Sequence, residues 1–422
     1  MECTSLKNLD LDIYHGTLSN GLRYYIVPKN DNNNFYVTLS TDYGSNQIEF
    51  IPYGEKKLKK VPAGIAHFLE HKMFESEEGI DPFSLFDQNG ASANASTDNK
   101  KTTYLFSGTT NFEENLKILL NYVNEPYFTD ENVEKEKGII NQEIDMCNDS
   151  YVRKGYDHII ANSFVKNSIR IPTIGSKESI DLITKEDLYT CYNTFYQPSN
   201  MFLVITGNVD VEKTVEIIST NQNTEMKPKK IKIKKYKEPN RVKKKTETIY
   251  MNVTTPKVYA AYKLNIDNIN LDIKTIKRYF YIYLDSLFGG VSNFYEEMKK
   301  NKIIDESIGF WLISTDTHLL IVFLSETKKS NKLIKGIDEL IGSKITEEEF
   351  ERKKKTFISS LVYTTDNIYS TNKMLMDDIV ELGDVNYNIY DDIKSMNYKT
   401  LNDILSKINF ENKSKLIIKP KK

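Results

Sequence analysis

Cysteine is scarce in this sequence: three among 422 residues, at Cys3, Cys147 and Cys191. An odd, widely spaced set supplies neither a disulfide framework nor a Cys-x-x-Cys metal site. It fits a reducing compartment, and we expect a cytoplasmic location. No apolar run approaches the roughly 20 residues needed to span a bilayer, so no membrane partner is expected. The N-terminal MECTSLKNLDLDIYHGTLSNGLRYYIV carries acidic residues early and lacks the apolar stretch of a secretory signal. Neither sign of charge is in excess: 57 Lys and Arg face 59 Asp and Glu, a net charge of −2. That balance argues against a dedicated nucleic-acid or membrane-surface binder.

What is present describes a globular protein, with 39% hydrophobic and 27% charged residues. The length allows two or three ordinary domains. Leu22–Val27 reads as a strand entered through the turn Ser19-Asn20-Gly21. Asn34–Thr41 alternates Phe35, Val37 and Leu39 with polar neighbours. Pro62–Glu75 reads as a helix, with Pro near its start. Residues 92–108 read as two strands joined by an Asp-Asn-Lys turn, and Asn111–Val123 as a helix. A further helix starts at Thr129 or Asp130 and runs to about Met146. Thr184 opens another, and Met201–Gly207 is a buried type of strand.

Residues 227–245 (KPKKIKIKKYKEPNRVKKK) then break the pattern. Such a charge run is either a basic docking patch or a solvated linker, and we read it as a linker. Strands at Thr246–Val253, Lys257–Tyr262, Ser307–Ile313 and His318–Leu324 follow. Helices at Asp272–Phe288, from Ser292, at Thr346–Thr356 and at Tyr369–Leu382 accompany them. The expected organisation is a domain over 1–220, a Lys-rich linker over 221–245 and a second domain of similar fold over 246–422. No repeat is strong enough to prove this by residue identity.

Two of the five histidines stand in His67-Phe68-Leu69-Glu70-His71. Positions i and i+4 lie one turn apart on one helix face, so both imidazoles can reach one ion. Glu70 shares that face and can take a proton from water activated by the ion. The order His-x-x-Glu-His is the inverzincin arrangement. The alternative is a helix whose polar face merely carries two His and a Glu. A catalytic zinc needs a third protein ligand. Glu136 and Glu143 lie two turns apart, with Ile139 and Ile140 between them on the same side. Carboxylates beside an apolar pair belong on an inward face, where they must be paired or bind metal. Glu143 can then be the ligand and Glu136 the acceptor that orients an imidazole N–H. An exposed acidic helix is the competing reading. His15, His158 and His318 are isolated and read as structural or surface residues; Cys147 reads as a buried small hydrophobe.

These blocks resemble the insulinase/pitrilysin family of zinc peptidases. The likeness runs in order through Pro62-Ala63-Gly64-Ile65-Ala66, His67–His71, Gly90–Thr97, Thr103-Tyr104, and Val133–Gly138 leading to Glu143. It is strong over about residues 10–215, weaker beyond, and nearest to short bacterial members of processing-peptidase type. The resemblance implies an α+β fold of two similar domains, each a mostly antiparallel mixed sheet with helices packed on it, together one half of a clamshell. It implies one Zn2+ held by His67, His71 and Glu143, with Glu70 as general base and Glu136 behind an imidazole. It implies that Ala93-Asn94-Ala95 is the edge strand on which a peptide substrate lies. Without it, that stretch reads as an edge strand blunted by small residues.

One part of the family pattern is broken. The last domain usually supplies an Arg and a Tyr seven residues apart, which hold substrate and stabilise the oxyanion. Lys299 and Glu306 stand at the matching places. Lys lacks the planar fork of Arg, and Glu would repel a developing oxyanion. The expectation is an endopeptidase subunit that pairs with a sister chain supplying the clamp; a homodimer is less favoured. Short members of this type occur beside pathways that mature ribosomal peptides, which implies leader-peptide or precursor processing. The alternative is a non-catalytic peptide-binding or assembly subunit of the same fold.

Overall fold

The computed structural model describes residues 1–31, 33–221, 230–305 and 308–421. Two compact units emerge. The first comprises Met1–Ile144, Ile171–Lys235 and Val362–Asn388; the second comprises Asp145–Arg170, Tyr236–Leu361 and Ile389–Lys422.

The first unit is built on strands β1 (Glu2–Leu6), β2 (Leu11–Thr17), β3 (Arg23–Pro28), β4 (Phe35–Thr41), β5 (Ala91–Thr97), β6 (Thr102–Gly108) and β7 (Met201–Gly207). Their spatial order is β1-β2-β3-β7-β4-β6-β5. Only β3 and β7 run parallel; the other pairs are antiparallel. β7 lies at the centre and is buried at every residue, which explains its unbroken apolar run. β5 is an edge strand, paired with β6 alone.

The second unit holds β8 (Thr246–Met251), β9 (Lys257–Asn265), β10 (Gly309–Ser314), β11 (His318–Glu326) and β12 (Lys413–Pro420). The order is β8-β12-β9-β11-β10, with β8 and β12 parallel and the rest antiparallel. Taken in chain order, β8 to β12 repeat the pairing of β3 to β7 strand for strand. The two sheets are therefore one topology used twice, as expected of two similar α/β domains.

The helices that bear on the site are α1 (Ile65–Lys72), α2 (Asp130–Asp149), α3 (Tyr151–Ser163), α4 (Ile273–Phe288), α5 (Glu347–Asp366) and α6 (Ile368–Leu382). α6 packs on β7 and β4 of the first sheet. There Asn372 accepts from Thr38 Oγ1 at 2.8 Å and donates to the Val204 carbonyl at 2.9 Å. The polar residues of β4 therefore face a helix rather than solvent. α3 packs on β12 and β9 of the second sheet. Ile159, Ile160 and Phe164 join Tyr259, Ala261, Leu416 and Ile418 in its core. Gly155 is required on α3: a Cβ there would lie 2.4 Å from the Tyr259 ring.

Within the described part of the Lys-rich stretch, chain is held rather than free. Lys232–Ile233 pairs with Glu49–Ile51, and Lys234 Nζ reaches Glu49 at 2.5 Å. Further on, Glu238 accepts the backbone N–H groups of Val165, Lys166 and Asn167, each at 2.7 Å. Its carboxylate also meets Lys263 Nζ at 2.6 Å, both side chains being fully buried. Residues 222–229, Glu306 and Ser307 lie outside the described residues. Among the described residues, no helix is long and apolar enough to cross a membrane.

Candidate metal centre

α1 begins later than the sequence suggests. Gly64 takes φ +89° in the Ala63-Gly64 turn and caps the helix, and a Cβ there would meet the Ile174 carbonyl at 2.5 Å. Phe68 and Leu69 are fully buried and fix the roll of α1. That roll sends His67 and His71 to one side, their ring centroids 4.6 Å apart.

α2 supplies the facing residues. At about 100° per residue, positions 136 and 143 point within about 20° of each other. Ile140 and Ile144 flank them on the buried side, whereas Ile139 and Met146 flank them on the exposed side. The expectation that Ile139 and Ile140 share an inward face is thus corrected: the carboxylates lie on the boundary line between core and solvent. Glu136 is buried, and Glu143 keeps 38% side-chain exposure.

Glu143 Oε1 lies 3.7 Å from His67 Nε2, and its Oε2 lies 3.7 Å from His71 Nε2. One donor atom from each of the three residues falls within 4.8 Å of the others. Two donors about 2.1 Å from a tetrahedral zinc lie about 3.4 Å apart, so this set fits the ion. Behind it, His71 Nδ1 meets Glu136 Oε1 at 2.9 Å. That contact keeps a proton on Nδ1 and turns Nε2 toward Glu143. Burial opposes a charged His71, but Glu136, together with Glu70 and Glu143, outweighs it and raises the pKa above its ordinary value. Glu70 is buried, and burial raises its pKa; a hydrogen bond from Thr97 and the nearby His71 pull the other way.

Two residues escaped the sequence reading. Lys72 is fully buried beneath the site, with Nζ 2.6 Å from Glu75, 3.2 Å from the Asn132 carbonyl and 3.9 Å from Glu136 Oε2. Its signal was present: a Lys directly after the motif, on the buried side of a short helix. Thr97 closes β5 and donates to Glu70 Oε2 at 2.5 Å. No spacing rule links residues 70 and 97.

Ala93, Asn94 and Ala95 fall in the middle of β5, with Asn94 exposed and both alanines half-buried. Lys299 is exposed on the helix Asn293–Lys300, its ammonium 5.6 Å from the Tyr295 ring centroid. His15, His158 and His318 contact Thr4, Glu247 and Asn240 respectively. Cys147 is half-buried rather than buried.

Comparison with known proteins gives two family profiles in tandem. Residues 50–177 match "Insulinase (Peptidase family M16)", and residues 182–357 match "Peptidase M16 inactive domain". The chain is 40% identical over 367 residues to a Bacillus subtilis (strain 168) protein named "Uncharacterized zinc protease YmfH", covering 84% of this chain and 85% of that one. The chain belongs to the insulinase (M16) family. An M16-like peptidase from Alicyclobacillus acidocaldarius has a crystal structure that superposes with a TM-score of 0.91. It shares 29% identity and covers 98% of this chain and 99% of its own. A Caenorhabditis elegans protein named mitochondrial-processing peptidase subunit beta is 27% identical over 191 residues, 44% of this chain and 42% of that one. The M16 relatives named as zinc proteases imply zinc in the family.

Proposed function

We propose that this M16 chain is a zinc-dependent endopeptidase acting on peptides or unfolded segments. The convergence of His67, His71 and Glu143 beside the buried Glu70 carries the reading. In it, His67, His71 and Glu143 would hold one zinc ion per chain, and Glu136 fixes the His71 ring. Zinc held there supplies Lewis acidity, making water acidic enough to ionise near neutral pH. Glu70 takes the proton of the attacking water, keeps it while the C–N bond breaks, and returns it to the leaving amine. A carboxylate whose pKa burial has raised suits that carrying role. The outer edge of β5 accepts the peptide as an added strand, bonded through its backbone. Small Ala93 and Ala95 leave room for it, and recognition of this kind tolerates varied side chains.

The active unit we propose is a heterodimer in the cytoplasm, in which a sister chain supplies an Arg and a Tyr. Lys299 at the place of the Arg supports this, as does a relative named as one subunit of a processing peptidase. Leader-peptide or precursor trimming is the substrate class we favour. Glu70→Gln is expected to lower hydrolysis by about 10²- to 10⁴-fold while one zinc per chain remains. Wild-type turnover in that variant removes the assignment. Full activity of the purified chain, unchanged by a sister chain, removes the heterodimer. The inactive-domain match over residues 182–357 favours a second reading, a non-catalytic peptide-binding or assembly subunit. Stoichiometric zinc without turnover of a peptide pool, with or without a sister chain, would select it.

A further inference from the structure

Glu70 has two carboxylate oxygens, and the fold treats them differently. Oε2 accepts from Thr97 Oγ1 at 2.5 Å. Oε1 has no hydrogen-bond partner among the described residues. The Thr97 hydroxyl has one proton to give, and its other close contact is Thr102 Oγ1 at 3.3 Å. Thr102 spends its own proton on the Tyr43 carbonyl at 2.8 Å. That leaves Thr102 as a competing acceptor, but at 2.5 Å against 3.3 Å, and with a carboxylate that only accepts, the Thr97 proton goes to Glu70.

The strand end that carries this hydroxyl is held on every side. Thr97 pairs with Thr102 across the β5–β6 turn. Within the turn, Asp98 accepts from the backbone N–H of Lys100 and of Lys101, at 2.7 and 2.9 Å. Outside it, Ser45 and Asn46 donate their backbone N–H to the carbonyls of Asp98 and Asn99, at 2.9 and 3.0 Å. A β-branched side chain on so fixed a backbone has little rotamer freedom. β5 thereby does two jobs: its middle offers an edge for a peptide, and its last residue grips the neighbouring base.

We propose that Thr97 is a positioning residue that clamps Oε2 of Glu70 and leaves Oε1 to exchange the proton, so that one strand aligns both substrate and base. The inference rests on the hydrolase reading above. A charge-assisted hydrogen bond contributes about 1.5 to 3 kcal/mol, which corresponds to roughly 10- to 100-fold in rate.

The test compares wild type, Thr97→Val and Thr97→Ser, each zinc-loaded and assayed on one peptide with whatever sister chain the wild type needs. Zinc content and melting temperature are measured on the same samples. Thr97→Val should lose about 10- to 100-fold in kcat, with KM within about twofold and zinc content unchanged. Thr97→Ser, which keeps the donor, should recover most of the rate. Wild-type kcat in Thr97→Val overturns the proposal, as does a joint loss of zinc, folding and KM that Ser does not repair. A wild type that hydrolyses no peptide under any pairing removes the hydrolase reading itself, and this inference with it.

Discussion

Glu136 shows how much one buried carboxylate does at the site. One of its oxygens meets His71 Nδ1 at 2.9 Å, and the other faces the buried Lys72 at 3.9 Å. It balances a buried cation and aims an imidazole together. Burial opposes a charged His71, but Glu136 first, with Glu70 and Glu143, outweighs it, so His71 keeps its proton to higher pH than an ordinary imidazole. A proton and a metal compete for that ring, so zinc affinity should fall as the solution is acidified. Glu136→Gln keeps the shape but removes the charge. Replacing such a supporting group typically weakens metal binding about 10- to 100-fold, and the lower end is expected here because the amide oxygen can still accept from Nδ1. Competition against a chromophoric chelator at neutral pH measures it. Unchanged zinc affinity in Glu136→Gln would mean that the ring is held by its packing alone.

At the scale of elements, the join between α3 and β8 sets a pH dependence. Burial pushes the pKa of Glu247 up, but Lys244 Nζ at 2.6 Å, His158 Nδ1 at 2.9 Å and Asn162 Nδ2 at 2.8 Å outweigh it and hold it down at about 2. The unfolded chain has an ordinary Glu near about 4.3. A depressed folded pKa stabilises the protein above the unfolded value, and that stability is lost as pH falls toward 2. Glu247→Gln should therefore be less stable than wild type at neutral pH, with the gap closing between about pH 5 and 2. Urea midpoints across that range decide it, and a constant gap would refute it. Neither partner element was equally legible in the sequence. β8 was readable from Thr246-Glu247-Thr248-Ile249, but α3 was not, since Gly155 and an Asn-Ser ending interrupt its periodicity. The reason is tertiary: Gly155 exists to admit Tyr259. β12 escaped for a related reason, because its lysines hide an interior strand whose Leu416 and Ile418 are fully buried. Thr38 and Ser40 of β4 look solvent-facing in sequence, yet they are fully buried beneath α6. His67, Glu70 and His71 were legible as one candidate set because helical spacing is local, and Glu143 joined them through the family resemblance; Thr97 and Lys72 acquire their roles only after distant segments meet.

Across the whole molecule, chain order and compact units do not coincide. α2 carries the chain out of the first unit between Ile144 and Asp145, and α5 carries it out of the second between Leu361 and Val362. The repeat extends to the helices: both are 20 residues long, and each is followed by the helix that covers the other sheet, α3 after α2 and α6 after α5. It extends to a contact as well. Lys353 holds the seventh position of α5, as Glu136 does of α2, and it reaches Asp285 of α4 at 2.6 Å. An ion pair of Lys and Asp thus stands where the other repeat has its Glu and His. The exchange of helices has a folding consequence. α6 buries Ile368, Leu375, Met376 and Ile379 where it covers the first sheet. At about 1.5 to 3 kcal/mol for each side chain, that is roughly 6 to 12 kcal/mol of burial, comparable to the whole stability of about 5 to 15 kcal/mol typical of a domain. Thr38 and the Val204 carbonyl would also lose Asn372. A fragment of residues 1–245 is therefore expected to be unfolded or aggregated, even though it contains His67, Glu70, His71 and Glu143. Co-expression with residues 246–422 should restore a cooperative thermal transition and zinc binding together, read by circular dichroism and metal analysis. A 1–245 fragment that melts cooperatively and binds zinc by itself would show that the α6 cover is dispensable, and that the first sheet can close its polar face without it.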